Sequence, residues 1–233
     1  MNLLLLSCGS LHGGSFLEYA REWLEEILPE KGSTLFIPYA EYSLDTYLAE
    51  ANEALEKFNR SCISPHKSSD PIGALDECNA ILTGGGNCFR LLEKLHRTGL
   101  SSAIIERVRN GMPYVGASAG SNIACPTMST TNDMPIVWPK TLEALGLVNF
   151  QINAHYLDPD PNSTHMGETR ETRISEFHEE NETPVVGLRE GSAIRVIDKK
   201  VLILGTQTAR LFKRGEAAIE LDPEQDISEY LVT

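Results

Sequence analysis

No stretch of this 233-residue chain approaches the ~20 consecutive apolar residues that a membrane span requires. The opening Leu3–Leu6 is apolar, but no basic segment precedes it and no small-residue cleavage site follows; polar Ser7-Cys8-Gly9-Ser10 comes at once. It reads as a buried first strand and not as a signal peptide, and a membrane is not an expected partner. Paired cysteine spacing is also missing. Cys8, Cys62, Cys78, Cys88 and Cys125 form an odd, scattered set with no C-x-x-C. That argues against a disulfide framework and a structural zinc site, and for reduced thiols in a cytoplasmic protein. Positive charge is scarce, with 20 Lys and Arg against 33 Asp and Glu and a net charge of −13. Such a surface repels phosphate backbones, so nucleic acid is not an expected partner either. No repeat, low-complexity tract or linker-like shift divides the chain, so a single catalytic domain over 1–233 is expected.

What is present alternates. Leu3–Leu6 is strand-like, and an amphipathic helix runs from about Ser15, its expected N-cap, through Leu24 and Leu28 to Pro29. Thr34–Ile37 reads as a strand, Leu44 to Phe58 as a helix, and Ala80–Thr83 as a strand entering Gly84-Gly85-Gly86-Asn87. Helices around Phe89–Leu95 and Ala103–Val108 lead to a strand at Met112–Val115. This βα alternation predicts an α/β fold with a single doubly wound, mostly parallel sheet covered on both faces. Past Cys125-Pro126 the pattern loosens into a Thr/Pro/Asn-rich loop from Thr127 to Pro139, a length more often functional than idle. Val148–Ala154 is then a strand ending at His155, and Arg170 to Phe177 a helix. Val185–Leu188, Ala193–Ile197 and Val201–Leu204 are short strands, the last two a hairpin about Asp198-Lys199-Lys200.

The chemistry centres on Gly116-Ala117-Ser118-Ala119-Gly120, a G-x-S-x-G between a strand and a helix start. In that context a serine projects from a tight turn, and the following helix aims its first N–H groups at the same spot. A small-residue turn packing a helix on a sheet is the bland alternative. A serine nucleophile also needs a base. Four of the six histidines, His12, His66, His96 and His178, read as solvated surface residues, and His165 lies in a polar loop. His155 ends an apolar strand, where functional groups of parallel sheets collect. The imidazole in turn needs a carboxylate, for which Asp133 and Glu190 both qualify; spacing does not choose between them. Oxyanion donors would be the Ala119 N–H and the Gly84-Gly85-Gly86 turn, which lacks the Lys-Ser/Thr of a P-loop and the spacing of a dinucleotide fingerprint. No metal or other cofactor is called for. The order Ser118, Asp133, His155 is that of an α/β-hydrolase, but 15 residues between serine and acid leave no room for that fold's intervening units.

Gly116 to Asn122, Ala124-Cys125-Pro126-Thr127 and Thr130-Thr131-Asn132-Asp133-Met134-Pro135-Ile136-Val137 resemble the central block of the peptidase E family of α-aspartyl dipeptidases. The likeness continues through Leu3–Ser7, Phe36-Ile37-Pro38, Gly84–Asn87, Asn153-Ala154-His155 and Gly167-Glu168-Thr169-Arg170, essentially the whole chain. The resemblance implies a flavodoxin-like sheet related to class I glutamine amidotransferases and a serine peptidase acting on dipeptides with an N-terminal aspartate. It implies Ser118 as nucleophile, His155 as base, an acid at the Asp133 or the Glu190 position, Gly86 in the oxyanion hole and Arg170 on the substrate carboxylate. Asp133, inside the most family-specific string, is the favoured acid; Glu190 is then a candidate for the substrate ammonium. Ala117 stands where relatives often carry tryptophan, a change expected in the pocket wall, and the loop 158–166 is about a residue longer than in bacterial relatives. A small Asp-X dipeptide is the expected partner, with a monomer or a homodimer both compatible. A cyanophycinase-like cleavage of β-linked aspartyl-arginine and a non-enzymatic binding module are the alternatives.

Overall fold

A computed structural model of the chain describes residues 1–164 and 166–231, so His165 lies outside the described residues. The first strand, β1 (Asn2–Leu6), shows why its leucines run without alternation: both faces are covered. Leu3 and Leu5 point into one core cluster, Leu4 and Leu6 into another, and all four are fully buried. At about 1.5–3 kcal/mol per buried leucine, this strand alone outweighs the local backbone strain described below. β2 (Ser33–Ile37), β3 (Cys62–Ile63), β4 (Cys78–Thr83) and β5 (Tyr114–Ala117) lie parallel to it in the order β3-β2-β4-β5-β1.

Helices cover both faces. α1 (Arg21–Ile27) and α2 (Leu44–Glu56) bury Leu24, Ile27, Ala51 and Leu55 against the Leu4 and Leu6 face. On the other side α3 (Pro71–Asp76), α4 (Cys88–Thr98) and α5 (Leu100–Arg109) bury Leu75, Leu91, Leu92, Leu95 and Ile104. The short α6 (Ala119–Asn122) follows β5 directly. Ser15 does not cap the first helix. Its N–H donates to Glu18 Oε2 instead, and a 3-10 turn at Glu18–Ala20, entered through Leu17 at φ 60°, precedes α1.

The expected α/β, mostly parallel architecture is present, but the single sheet is corrected to two. After α6 the chain passes through the long loop into β6 (Gln151–Ala154), α7 (Arg170–Glu180) and β7 (Val185–Leu188). The hairpin of β8 (Ser192–Ile197) and β9 (Lys200–Gly205) then occupies the edge beside β1, antiparallel to it, so β6 finds no neighbour there. β6 instead pairs in parallel with β7, and β10 (Ala209–Phe212) and β11 (Ile219–Leu221) complete a four-stranded sheet in the order β11-β10-β7-β6. A last helical turn, α8 (Ser228–Leu231), ends the described chain. No described helix is long and apolar enough to cross a membrane. The five cysteines are free and buried.

Candidate active site

The carboxyl ends of four strands converge on one place: β4 runs into Gly84, β5 into Ser118, β6 into His155 and β7 into Arg189-Glu190. Ser118 has φ 51° and ψ −106°, a conformation that costs a non-glycine residue roughly 1–3 kcal/mol. Both flanking glycines are required by close approach. A Cβ on Gly116 would sit 2.5 Å from the Gly120 carbonyl oxygen, and one on Gly120 would sit 2.2 Å from that of Thr83. The elbow is held from below. Ser118 N–H donates to Leu6 O (3.0 Å), and Ser121 Oγ is bonded to both Leu6 O and Gly116 O. Ala117 is fully buried in the core cluster beneath the sheet, so it forms no part of the pocket wall.

His155, also at positive φ (53°), lies one residue past β6. Its Nε2 is 2.9 Å from Ser118 Oγ and its Nδ1 is 2.8 Å from Glu190 Oε1. With Nδ1–H donating to the carboxylate, Nε2 is left as acceptor for the serine proton. Serine, imidazole and carboxylate thus form one continuous chain.

Asp133, expected on the imidazole, is elsewhere. Its Oδ2 accepts the Cys88 N–H (2.7 Å) at the amino end of α4, where helical N–H groups have no internal partner. The string around it fastens the long loop to neighbouring elements. Thr130 Oγ1 donates to Ile152 O and Asn132 Nδ2 to Ala154 O, stitching the loop along β6, while Asn87 Nδ2 donates to Met134 O. Glu190 takes the position beside His155.

Gly86, at φ 122°, lies between Gly85 and Asn87, whose N–H groups bond to Tyr47 Oη (2.8 Å) and Ala40 O (3.0 Å). Among the described residues no acceptor takes the N–H of Gly86 or of Ala119. A Cβ placed on Gly85 would be 3.8 Å from Ser118 Oγ, so the glycine turn faces the nucleophile. Two N–H groups beside a serine are the requirement for an oxyanion site. The cavity here is about 360 Å³ and is lined by Ser118, His155, Gly85, Gly86, Phe16 and Tyr47, with Glu41 and Glu50 on its wall.

Arg170, the first residue of α7, does not line that cavity. It borders a hollow of about 760 Å³ under the segment after His155, together with Leu157, Asp158 and Thr169. The surface ion pair that would make it ornamental is absent among the described residues: Glu168 pairs with Arg173 instead. Burial, and next the like charge of Arg173, push the Arg170 guanidinium below its usual range, and Asp133 opposes them.

Of the other histidines, His178 is buried, with Nε2 3.1 Å from Thr183 O, and is not the solvated residue expected. His66 bridges Ser64 (2.6 Å) and Asp45 (2.8 Å). That second Ser-His-Asp string is a local brace, because Ser64 is buried away from any substrate. Sequence reasoning missed Arg189 altogether. Its guanidinium grips Asp158 through two 2.7 Å bonds and also reaches Glu220 and Thr208, tying the segment after His155 to the strand end that carries Glu190. Only its adjacency to Glu190 hinted at a role. It missed Tyr47 too, whose aromatic character reads simply as helix core.

A serine bonded to an imidazole bonded to a carboxylate, on a strained turn at the carboxyl edge of a doubly wound sheet, defines a serine-type hydrolase. Comparison with known proteins narrows this. The model of peptidase family S51 matches residues 3–204. A Streptomyces coelicolor protein named peptidase E is 52% identical over 231 residues, covering 99% of this chain and 95% of the relative. A Drosophila melanogaster protein named probable alpha-aspartyl dipeptidase is 45% identical over 97% of this chain and 96% of its own. The crystal structure of a peptidase from an acI-B1 Actinobacterium shares the fold, with a TM-score of 0.72 at 16% identity, covering 97% of this chain and 96% of that one. The chain belongs to peptidase family S51, and it is a serine-type peptidase.

Proposed function

We propose that the protein is a dipeptidase that hydrolyses Asp-X, and that Ser118, His155 and Glu190 form its catalytic triad. The observation that carries this reading is the unbroken Ser118–His155–Glu190 hydrogen-bonded chain at a cavity lined by Gly86, where the Gly86 and Ala119 N–H groups have no acceptor among the described residues. Ser118 Oγ attacks the scissile carbonyl carbon while its proton passes to His155 Nε2. Glu190 holds the Nδ1–H tautomer and stabilises the imidazolium. The carbonyl oxygen, now negative, accepts from Gly86 and Ala119 N–H. Collapse of the tetrahedral centre expels the amine of residue X, which takes the proton from His155. Water, deprotonated by the same imidazole, then releases aspartate from the serine ester.

Aspartate specificity rests on Arg170. A substrate carboxylate held in the cleft is stabilised by a cation, and a guanidinium meets it with two parallel hydrogen bonds. Among the described residues Arg170 forms no ion pair, which supports this role. Glu41, whose Oε1 lies 2.7 Å from where a Gly86 Cβ would be, is suited to the substrate's α-ammonium, now that Asp133 is committed to Cys88 and Glu190 to His155.

A second reading has one observation in its favour. The acidic wall formed by Glu41 and Glu50 would also suit the guanidinium of a β-linked aspartyl-arginine, the cyanophycinase-like substrate. A panel of Asp-Leu, Leu-Asp, Ala-Leu and β-Asp-Arg, with released amine detected, tests both. Turnover of Asp-Leu alone is the expected result; turnover of β-Asp-Arg alone would replace the first reading by the second.

A further inference from the structure

The turn Gly84-Gly85-Gly86 has no side chain with which to hold its own shape, and each glycine is free to rotate into several backbone wells. Something outside the turn must fix the direction of the Gly86 N–H. The contacts that do so alternate around it. Gly84 N–H donates to Ile37 O (3.1 Å), Gly85 N–H to Tyr47 Oη (2.8 Å), Asn87 N–H to Ala40 O (3.0 Å) and Cys88 N–H to Asp133 Oδ2 (2.7 Å). The Gly86 N–H alone in this run is left without an acceptor among the described residues. Four of five consecutive donors are fastened, and the fifth is the one beside Ser118. Three of the fastening acceptors come from β2, from the segment that follows it, or from the long loop. Tyr47 is the one supplied by a helix, α2.

Tyr47 is itself held rigidly. Its ring packs on Phe36 (5.0 Å between centroids, nearly perpendicular) and on Phe16 (5.3 Å). It also lies so close to Gly84 that a Cβ there would come within 2.6 Å of the ring and of the hydroxyl. Burial raises the phenol's pKa well above its usual value, so the hydroxyl stays neutral. We infer that Tyr47 is a positioning residue for the oxyanion donor: its hydroxyl and ring lock Gly84 and Gly85 so that the Gly86 N–H points at the developing oxyanion. The inference rests on the acyl-transfer reading above, not on the identity of the substrate.

The test compares wild type with Tyr47→Phe, which keeps the ring and removes the acceptor, and with Gly84→Ala, which displaces the ring and leaves Tyr47 intact. Two rates are read: kcat on Asp-Leu, and phosphonylation of Ser118 by a fluorophosphonate, which needs the serine, imidazole and oxyanion donors but no aspartate specificity. Both variants should lose about 10–100-fold in both rates, less than the ~10²–10³ of deleting a donor outright, with KM within about 3-fold and the acid limb of the pH profile unmoved. A natively melting Tyr47→Phe with both rates unchanged would overturn the inference, as would a raised KM at unchanged kcat. If Tyr47→Phe does not fold, Gly84→Ala decides by the same criteria. If wild type cleaves no Asp-X peptide, the substrate reading falls, and phosphonylation still decides the role of Tyr47.

Discussion

The floor of the cleft, Gly84–Cys88 together with Gly116–Ser121, is built from backbone hydrogen bonds and glycine close approaches. Its flank, beyond His155 from Asp158 to Arg170 and across to Arg189, is built from charged side chains reaching between segments far apart in sequence. The floor is closely packed, an added Cβ at Gly84, Gly116 or Gly120 coming within 2.6 Å of a neighbouring atom, whereas the flank is partly exposed. Under the proposed mechanism the floor governs bond-making and the flank governs which substrate is held and how steadily. Substitutions should divide accordingly, with large losses in kcat on one side and smaller, substrate-dependent or pH-dependent effects on the other.

The largest effect belongs to the floor. Ser118→Ala removes one oxygen from the elbow and should lower kcat by ~10⁶-fold without unfolding the protein. His155→Ala should be nearly as damaging and non-additive with it. Retention of more than a few per cent of wild-type turnover by Ser118→Ala would assign the nucleophile elsewhere.

The next contrast pits the two carboxylates. Glu190→Gln no longer enforces the Nδ1–H tautomer of His155 and should lose about 10³–10⁴-fold in kcat. Asp133→Asn keeps a carbonyl oxygen that can still accept from Cys88 N–H, and should lose less than about 10-fold, on the scale of one weakened hydrogen bond. Steady-state kinetics of the two variants side by side decide the assignment; a larger loss for Asp133→Asn would reverse it.

This pair also shows what was legible in the sequence. The elbow, the strand-end histidine and the glycine turn were readable because short-range rules govern them: a G-x-S-x-G after a strand, a polar residue past an apolar run. The parallel strands were readable for the same reason, as uninterrupted apolar runs. The choice between Asp133 and Glu190 was not, because it depends on β6 leaving the main sheet to pair with β7, which brings Leu188 beside Ala154 and so Glu190 beside His155. Nothing local in Gln151–Ala154 announces that partner. Asp133, favoured for its distinctive string, accepts from Cys88 N–H in the structure, while Glu190 is the carboxylate bonded to His155. The ionic cluster around Arg189 was equally hidden, since its members are scattered from Asp158 to Glu220.

On the flank, Arg170→Met should lower kcat/KM for Asp-Leu by at least ~100-fold, the scale of breaking one partner of a charged hydrogen-bonded pair. It should also narrow the preference for Asp-Leu over Asn-Leu, because the lost interaction is specific to a charge. Equal losses on both substrates would make Arg170 a structural residue.

The smallest effect expected is at Arg189, and its signature is pH. Hydrogen bonds from Arg189, ahead of the other influences, hold the Asp158 and Glu220 carboxyls below their usual range in the folded protein. A carboxylate depressed by folding contributes stability that is fully present above its unfolded pKa, about 4. That contribution is lost as pH falls through the lower folded value. Both carboxylates are half-exposed, at 47% and 49%, so solvent screening keeps the total on the order of 1 kcal/mol, or ~2–4 °C in Tm for a domain of this size. Arg189→Met should therefore melt lower than wild type near pH 7, with the gap closing below about pH 4 as both carboxyls protonate in the wild type as well. Activity should fall only a few-fold, by loosening the segment after His155, and Glu190→Gln should leave this pH-dependent melting gap unchanged. A gap that stays constant from pH 7 to pH 3 would mean that Arg189 stabilises by packing its aliphatic stem, and the flank would then resemble the floor more than its charges suggest.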